Sequence, residues 1–189
     1  MTWFKRKKQP SAAEILSGAQ WNCKGCGQAH QGMFDLAAIA PDPWPHPKTY
    51  APNSDLRLDG GDFLSEDFCI LGRNYLVRCQ LPVPVQDADA VFAFGCWGSL
   101  SRENFESYLE RFDDGRYEDC GPWTSWLCND LLGLVGTSPI GCLMFPQPNR
   151  QRPVLEVHDA EHPLARMQAL GISAEQVVEI YKLAGHAIA

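Results

Sequence analysis

Long apolar runs are missing from this chain of 189 residues. Crossing a bilayer as a helix takes about 18 or more consecutive apolar residues. The longest weakly polar stretch, around Val91 to Leu100, falls short of that, so no membrane partner is expected. Positive charge is also scarce. Sixteen Lys and Arg stand against 23 Asp and Glu, for a net charge of −7. The balance is +3 over residues 1–50 and −10 over residues 51–189. A body this acidic repels phosphate backbones, which excludes general nucleic-acid binding. The phosphate-cradling G-x-x-x-x-G-K-[ST], the dinucleotide-binding G-x-G-x-x-G and the nucleophile elbow G-x-S-x-G are all absent. A secretory signal is missing too: basic residues open the chain, but Gln9, Pro10 and Ser11 follow where an apolar segment should begin. The expected address is therefore the cytoplasm. There, eight cysteines read as reduced thiols rather than four disulfides.

What is present suits one folded unit. Apolar residues make up 45% and aromatic residues 11%, enough to repay the entropy of ordering the chain. Residues 1–20 read as a basic leader, with Lys5 to Lys8 as a solvated tail, followed by a short helix. Ser11 and Glu14 form a capping box that opens this helix, and Gly18 ends it. Residues 21–189 read as a single α+β domain. Pro41, Pro43, Pro45, Pro47 and Pro52 force a loop, which the acidic stretch from Asp55 to Asp67 continues. Tyr75 to Val85 alternates as a long strand, whose Pro82 and Pro84 cannot donate and so belong on an edge or at a bulge. Val91 to Gly98 makes a second strand and a hairpin with the first. Ser101 caps a helix carrying Phe105, Tyr108, Leu109 and Phe112 on one face. Trp123 to Cys128, Ile140 to Phe145 and Val154 to His158 are further strands. Helices follow from Pro163 and from a capping box of Ser173 and Gln176. The expected architecture is an antiparallel sheet flanked by helices, with an N-terminal Cys/His turn resembling a zinc knuckle.

That turn carries the sharpest chemical signal. In Cys23-x-x-Cys26-Gly27 two sulfurs converge on one metal, and the glycines permit a tight turn. His30 follows closely enough to be a third ligand. A closed structural zinc site needs a fourth. The candidates are a lone cysteine, His158 or His162. Cys69 is the first choice because it borders the irregular acidic region. The metal set is thus Cys23, Cys26, His30 and Cys69, with zinc as the structural cofactor. A redox dithiol and a pair of free thiols remain alternatives for Cys23 and Cys26.

The stretch from His158 to His162 is dense in proton-carrying groups and is the one place where a hydrolytic or metal-dependent enzyme would put its machinery. Its plainer reading is a strand-to-helix turn in which His162 caps a helix. No catalytic residue is assigned, because no constellation of nucleophile, base and orienting group rises above background.

The ordered motifs Cys23-x-x-Cys26-Gly27-x-x-His30, Ala40-Pro41-Asp42, Asp67-x-Cys69, Trp97-x-Ser99-Leu100-Ser101-x-Glu103-Asn104-Phe105, Trp126-Leu127-x-Asn129 and His162-Pro163-Leu164-Ala165, with Gln168 and Gly171-Ile172-Ser173 beyond, resemble the uncharacterised bacterial proteins grouped as domain of unknown function 2199. The resemblance spans about Cys23 to Val177. It implies a bacterial, cytosolic, single-domain protein and places Cys23, Cys26, His30 and Cys69 in the family pattern, but it implies no reaction. The chain departs from that pattern after Pro41, where it is unusually proline-rich, and at Met167, where an acid is expected. Together these readings point to a zinc-stabilised, non-catalytic interaction module with a protein or peptide partner. A protective partner of a basic toxin is one version, since the acidic body would steer such a protein.

Overall fold

The computed structural model describes residues 10–86, 88–117, 119–136 and 139–188. The basic run from Lys5 to Lys8 lies outside the described residues. The framework is a hairpin of two long strands, β6 (Asn74–Val85) and β7 (Ala90–Leu100), paired from Tyr75 with Leu100 to Val85 with Ala90. Three more strands continue the antiparallel meander: β8 (Trp123–Leu127), β9 (Ile140–Phe145) and β10 (Val154–Val157). Five strands that alternate in direction leave the first and the last running the same way. When the sheet curls shut, its closing pair must be parallel, and Val154 of β10 does pair in parallel with Gln80 of β6.

The α+β class therefore holds, but the expected flanked sheet is corrected to a closed five-stranded barrel with short strands attached. Alternation in sequence reports which face a residue takes, not how far a sheet curls. Gly98 lies where the interior is crowded. A Cβ there would lie 2.7 Å from Met144 Cε and 2.8 Å from Ser125 Oγ, so a side chain would force both neighbours to shift. Around it pack Cys79, Leu81, Phe94, Cys96, Cys142 and Leu155, all essentially fully buried. The cysteines here serve as small apolar side chains. Burial pushes the Cys142 thiol up to about 11 and holds Cys79 and Cys96 higher still.

Both long strands outrun their neighbours. The free edge of β6 is shared between β5 (Phe68–Leu71), which pairs up to Val77, and β10, which takes over at Gln80. A two-residue strand, β4 (Phe63–Leu64), extends β5. The second edge of β7 is shared between β8 at Gly98 and the parallel β3 (Leu36–Ala37) at Phe94 and Gly95. Of these, β4 falls in the acidic stretch that sequence alone reads as loop, and β3 lies just before the proline-rich loop. They form because the long hairpin offers unpaired edges that must find donors and acceptors.

Among the described residues, four α-helices pack around the barrel. α2 (Arg102–Phe112) starts at Ser101, whose hydroxyl accepts from the Asn104 amide, and buries Phe105 and Tyr108 against Phe68. α3 (Pro163–Leu170) and α4 (Ala174–Leu183) follow β10, and α4 buries Val177, Val178, Ile180 and Tyr181. α1 (Ala12–Leu16), opened by the Ser11 and Glu14 capping box, packs on α4 with Ile15 fully buried. On the opposite face of the hairpin, a second cluster of Ala40, Leu64, Cys69, Leu76 and Trp97 lies beneath the proline-rich segment. Among the described residues, no helix is long and apolar enough to cross a membrane.

Candidate metal centre

The Cys/His turn sits in a small hairpin of its own. β1 (Gln20–Asn22) pairs with β2 (Ala29–Gln31), setting Trp21 opposite His30. Between them the chain makes a tight knuckle: the Cys23 amide donates to Gln28 O, and the Gly27 amide donates back to Cys23 O. Gly27 takes a φ of +71°, which a side chain would resist. The Cys26 amide points at Cys23 Sγ from 3.4 Å. Burial raises the Cys23 thiol, but hydrogen bonds from the Cys26 amide and side chain and from the Gly25 and Ala187 amides outweigh it. The net effect holds Cys23 below its ordinary value, in the direction of the thiolate that binds metal.

His30 projects from β2 and is braced by ring contacts with Trp21 at 4.7 Å and Phe34 at 4.8 Å. Its Nε2 lies 3.2 Å from Cys26 Sγ. A fourth donor arrives from the other end of the chain. Gly185, at a φ of +84°, turns the backbone out of α4, and the His186 amide donates to Tyr181 O. The tail then docks on the knuckle: the Lys24 amide donates to Ala187 O at 2.7 Å, and Ile188 bridges to Cys23. His186 Nδ1 comes to 3.8 Å from Cys23 Sγ. The four donor atoms of Cys23, Cys26, His30 and His186 all lie within 4.8 Å of one another. Zinc–sulfur and zinc–nitrogen bonds of about 2.3 and 2.0 Å give tetrahedral edges of roughly 3.3–3.8 Å, so the cage needs only a small contraction around an ion.

Cys69 is not brought to this group. It is fully buried on β5, opposite Leu76 and Leu64, where burial, with Asp62 and Cys128 adding, pushes its thiol up to about 12. A thiol held neutral inside an apolar cluster is a poor metal ligand. His158 is exposed at the end of β10, and His162 caps α3, its Nδ1 accepting from the Leu164 amide at 3.2 Å. Among the described residues, no other group of three or more His, Cys, Asp or Glu side chains is placed to share an ion. His186 carries no spacing signal in sequence, because it stands 156 positions after His30. Only the short run from the end of α4 to the knuckle brings it in.

A family model described as "Uncharacterized protein conserved in bacteria (DUF2199)" matches residues 22–172. The chain belongs to this family. No curated protein and no solved structure matches it. In this DUF2199 member, Cys23, Cys26 and His30 fall inside the matched span, and His186 lies beyond it.

The barrel also explains two of the other motifs. Asn129 is buried where β7 passes from β8 to β3. Its Oδ1 accepts from the Trp97 amide, and its Nδ2 donates to Ala40 O and Asp42 Oδ1. Half-buried Gln168 bridges β6 and β10 just past their pair at Gln80 and Val154, donating to Pro82 O and Leu155 O and accepting from the Val157 amide. These motif residues splice strand edges. A cleft of about 530 Å³ opens beside the first splice, with Asp42, Asn129 and Asp130 among its lining residues and His186 on its wall.

Proposed function

We propose that Cys23, Cys26, His30 and His186 hold one zinc ion, and that the protein is a metal-stabilised interaction module rather than a catalyst. One observation carries this reading: the chain itself supplies two sulfurs and two imidazole nitrogens in a single cage. Four protein donors complete a tetrahedral shell and leave no position for a reacting water, whereas catalytic zinc keeps one open. The ion would act by structure. It joins the hairpin of β1 and β2 to the tail after α4, and the free energy of binding at such a site adds to that of folding.

The partner we propose is a basic protein or peptide. The body of the molecule carries −10 over residues 51–189, and the cleft beside the metal centre presents Asp42 and Asp130. Opposite charge speeds such an encounter and excludes acidic competitors. A protective complex with a basic toxin belongs to this class. The cytoplasm, where thiols stay reduced, suits the Cys/His donor set.

Elemental analysis of the purified chain tests the metal reading. The expected result is one zinc per chain, lost in Cys23→Ser and Cys26→Ser. Protein purified from zinc-replete cells with no bound metal would overturn it.

A further inference from the structure

The eight thiols of this chain differ sharply in their access to solvent. Cys69, Cys79, Cys96 and Cys142 are buried in the barrel or under the proline-rich segment, and Cys120 and Cys128 are half-buried. Cys26 is the exposed one. It sits in the metal cage, its sulfur within 4.8 Å of Cys23 Sγ, on a loop two residues removed from its partner. An oxidant in solution therefore meets the cage first.

Resting on the zinc assignment above, we propose that the centre is a peroxide-sensitive latch whose oxidation frees the C-terminal tail. The Cys26 thiolate attacks one oxygen of a hydroperoxide, breaking the O–O bond and forming a sulfenic acid with release of hydroxide or alkoxide. The Cys23 thiolate then attacks the sulfenic sulfur, forming the Cys23–Cys26 disulfide and expelling a second hydroxide. The two thiolates have given up two electrons and the peroxide has accepted them. Two protons from solvent complete water, or water and an alcohol. A disulfide cannot serve as two thiolate donors, so the divalent ion leaves with His30 and His186 unable to hold it alone.

The consequence follows from where the tail lies. Besides the ion, the tail meets the knuckle through the Lys24 to Ala187 hydrogen bond, the short bridge from Ile188 to Cys23, the Ala187 amide and His186 Nδ1 facing Cys23 Sγ, and ring contacts of His186 with His30 and Phe34, and the contacts to the Cys23 sulfur are the ones a disulfide would disturb. His186 and Ala184 also line the cleft that contains Asp42 and Asn129. Releasing the ion loosens one wall of that cleft, so oxidation would change what the cleft binds.

The test uses the full-length, freshly reduced protein with its zinc content measured beforehand. Hydrogen peroxide is added in small molar excess with a chromogenic zinc chelator present. Cysteines are mapped by mass spectrometry, and trypsin probes the last turn of α4 at Lys182, just before the tail. The expected result is release of one zinc per chain in step with a Cys23–Cys26 disulfide. Cleavage after Lys182 should accelerate about fivefold or more as release of the tail lets the last turn of α4 fray. Reductant plus zinc should restore the starting state, and Cys120→Ser, outside the cage, should respond as the parent does. Zinc retained while other cysteines oxidise would overturn the latch and leave the zinc site standing. A reduced protein without zinc would overturn both.

Discussion

Gly25 shows how one missing side chain positions the candidate site. The composition of the knuckle suggests that its glycines serve to turn the backbone, and Gly27 does so. Gly25 has a different task. A Cβ there would lie 1.6 Å from the carbonyl oxygen of Gly185, so the tail crosses the knuckle where a side chain would stand. That clash is with backbone and cannot be relieved by a rotamer change. Gly25→Ala should push the tail away, costing about 1–3 kcal/mol of stability, the usual range for overpacking. Zinc affinity should fall with it while the barrel persists. Denaturant titration and a competitive zinc assay measure the two effects, and an unchanged affinity would show that the tail does not depend on this close approach. Cys69 marks the opposite kind of residue. In sequence it borders an acidic loop and reads as a ligand, but it lies on a strand facing an apolar cluster, and nothing in its local spacing announces that.

Among the elements, those with strong periodicity were legible from sequence. The hairpin of β6 and β7, the helix capped by Ser101, the helix opened at Pro163 and the capping box of Ser173 and Gln176 all fall where alternation and cap residues place them. The short strands β1 to β4 were not legible. Two or three residues are too few to show a period: β3 and β4 become strands because a neighbour leaves an edge open, and β1 and β2 because the knuckle folds them onto each other. The prolines of β6 tell a finer story. Pro82 and Pro84 lack donors, as sequence requires, and the structure shows how their edge is finished: Pro84 O accepts from the Ile172 amide, and Pro82 O accepts from the Gln168 side chain. Gln168→Leu would leave Pro82 O, Leu155 O and the Val157 amide without that partner. A fully buried orphan costs about 1–3 kcal/mol and these half-buried ones less each, so the variant should be destabilised, by more than Gln168→Glu, which keeps an acceptor for Val157. Thermal or denaturant unfolding decides it. Equal stability of Gln168→Leu and the parent would show that water replaces the amide without loss.

At the scale of the whole molecule, the candidate centre joins the two ends of the chain. Three donors come from the first 30 residues and one from the last four, with the entire barrel folded between them. The half-site of Cys23, Cys26 and His30 was readable because zinc knuckles need close spacing. The fourth donor was not, because closing a ring around a barrel depends on where α4 ends rather than on any local pattern. The same gap hid the barrel itself: five antiparallel strands were visible in outline, and their closure through Val154 and Gln80 was not. Metal affinity should follow this geometry. Zinc titration of His186→Ala against Cys69→Ser, each competed with a chelator of known affinity, separates the tail donor from the donor that sequence favoured. His186→Ala should bind zinc more than about 100-fold more weakly, beyond what loss of an outer-sphere partner typically causes. Cys69→Ser should bind as the parent does. If instead Cys69→Ser abolished binding and His186→Ala left it intact, the metal would not join the two ends of the chain.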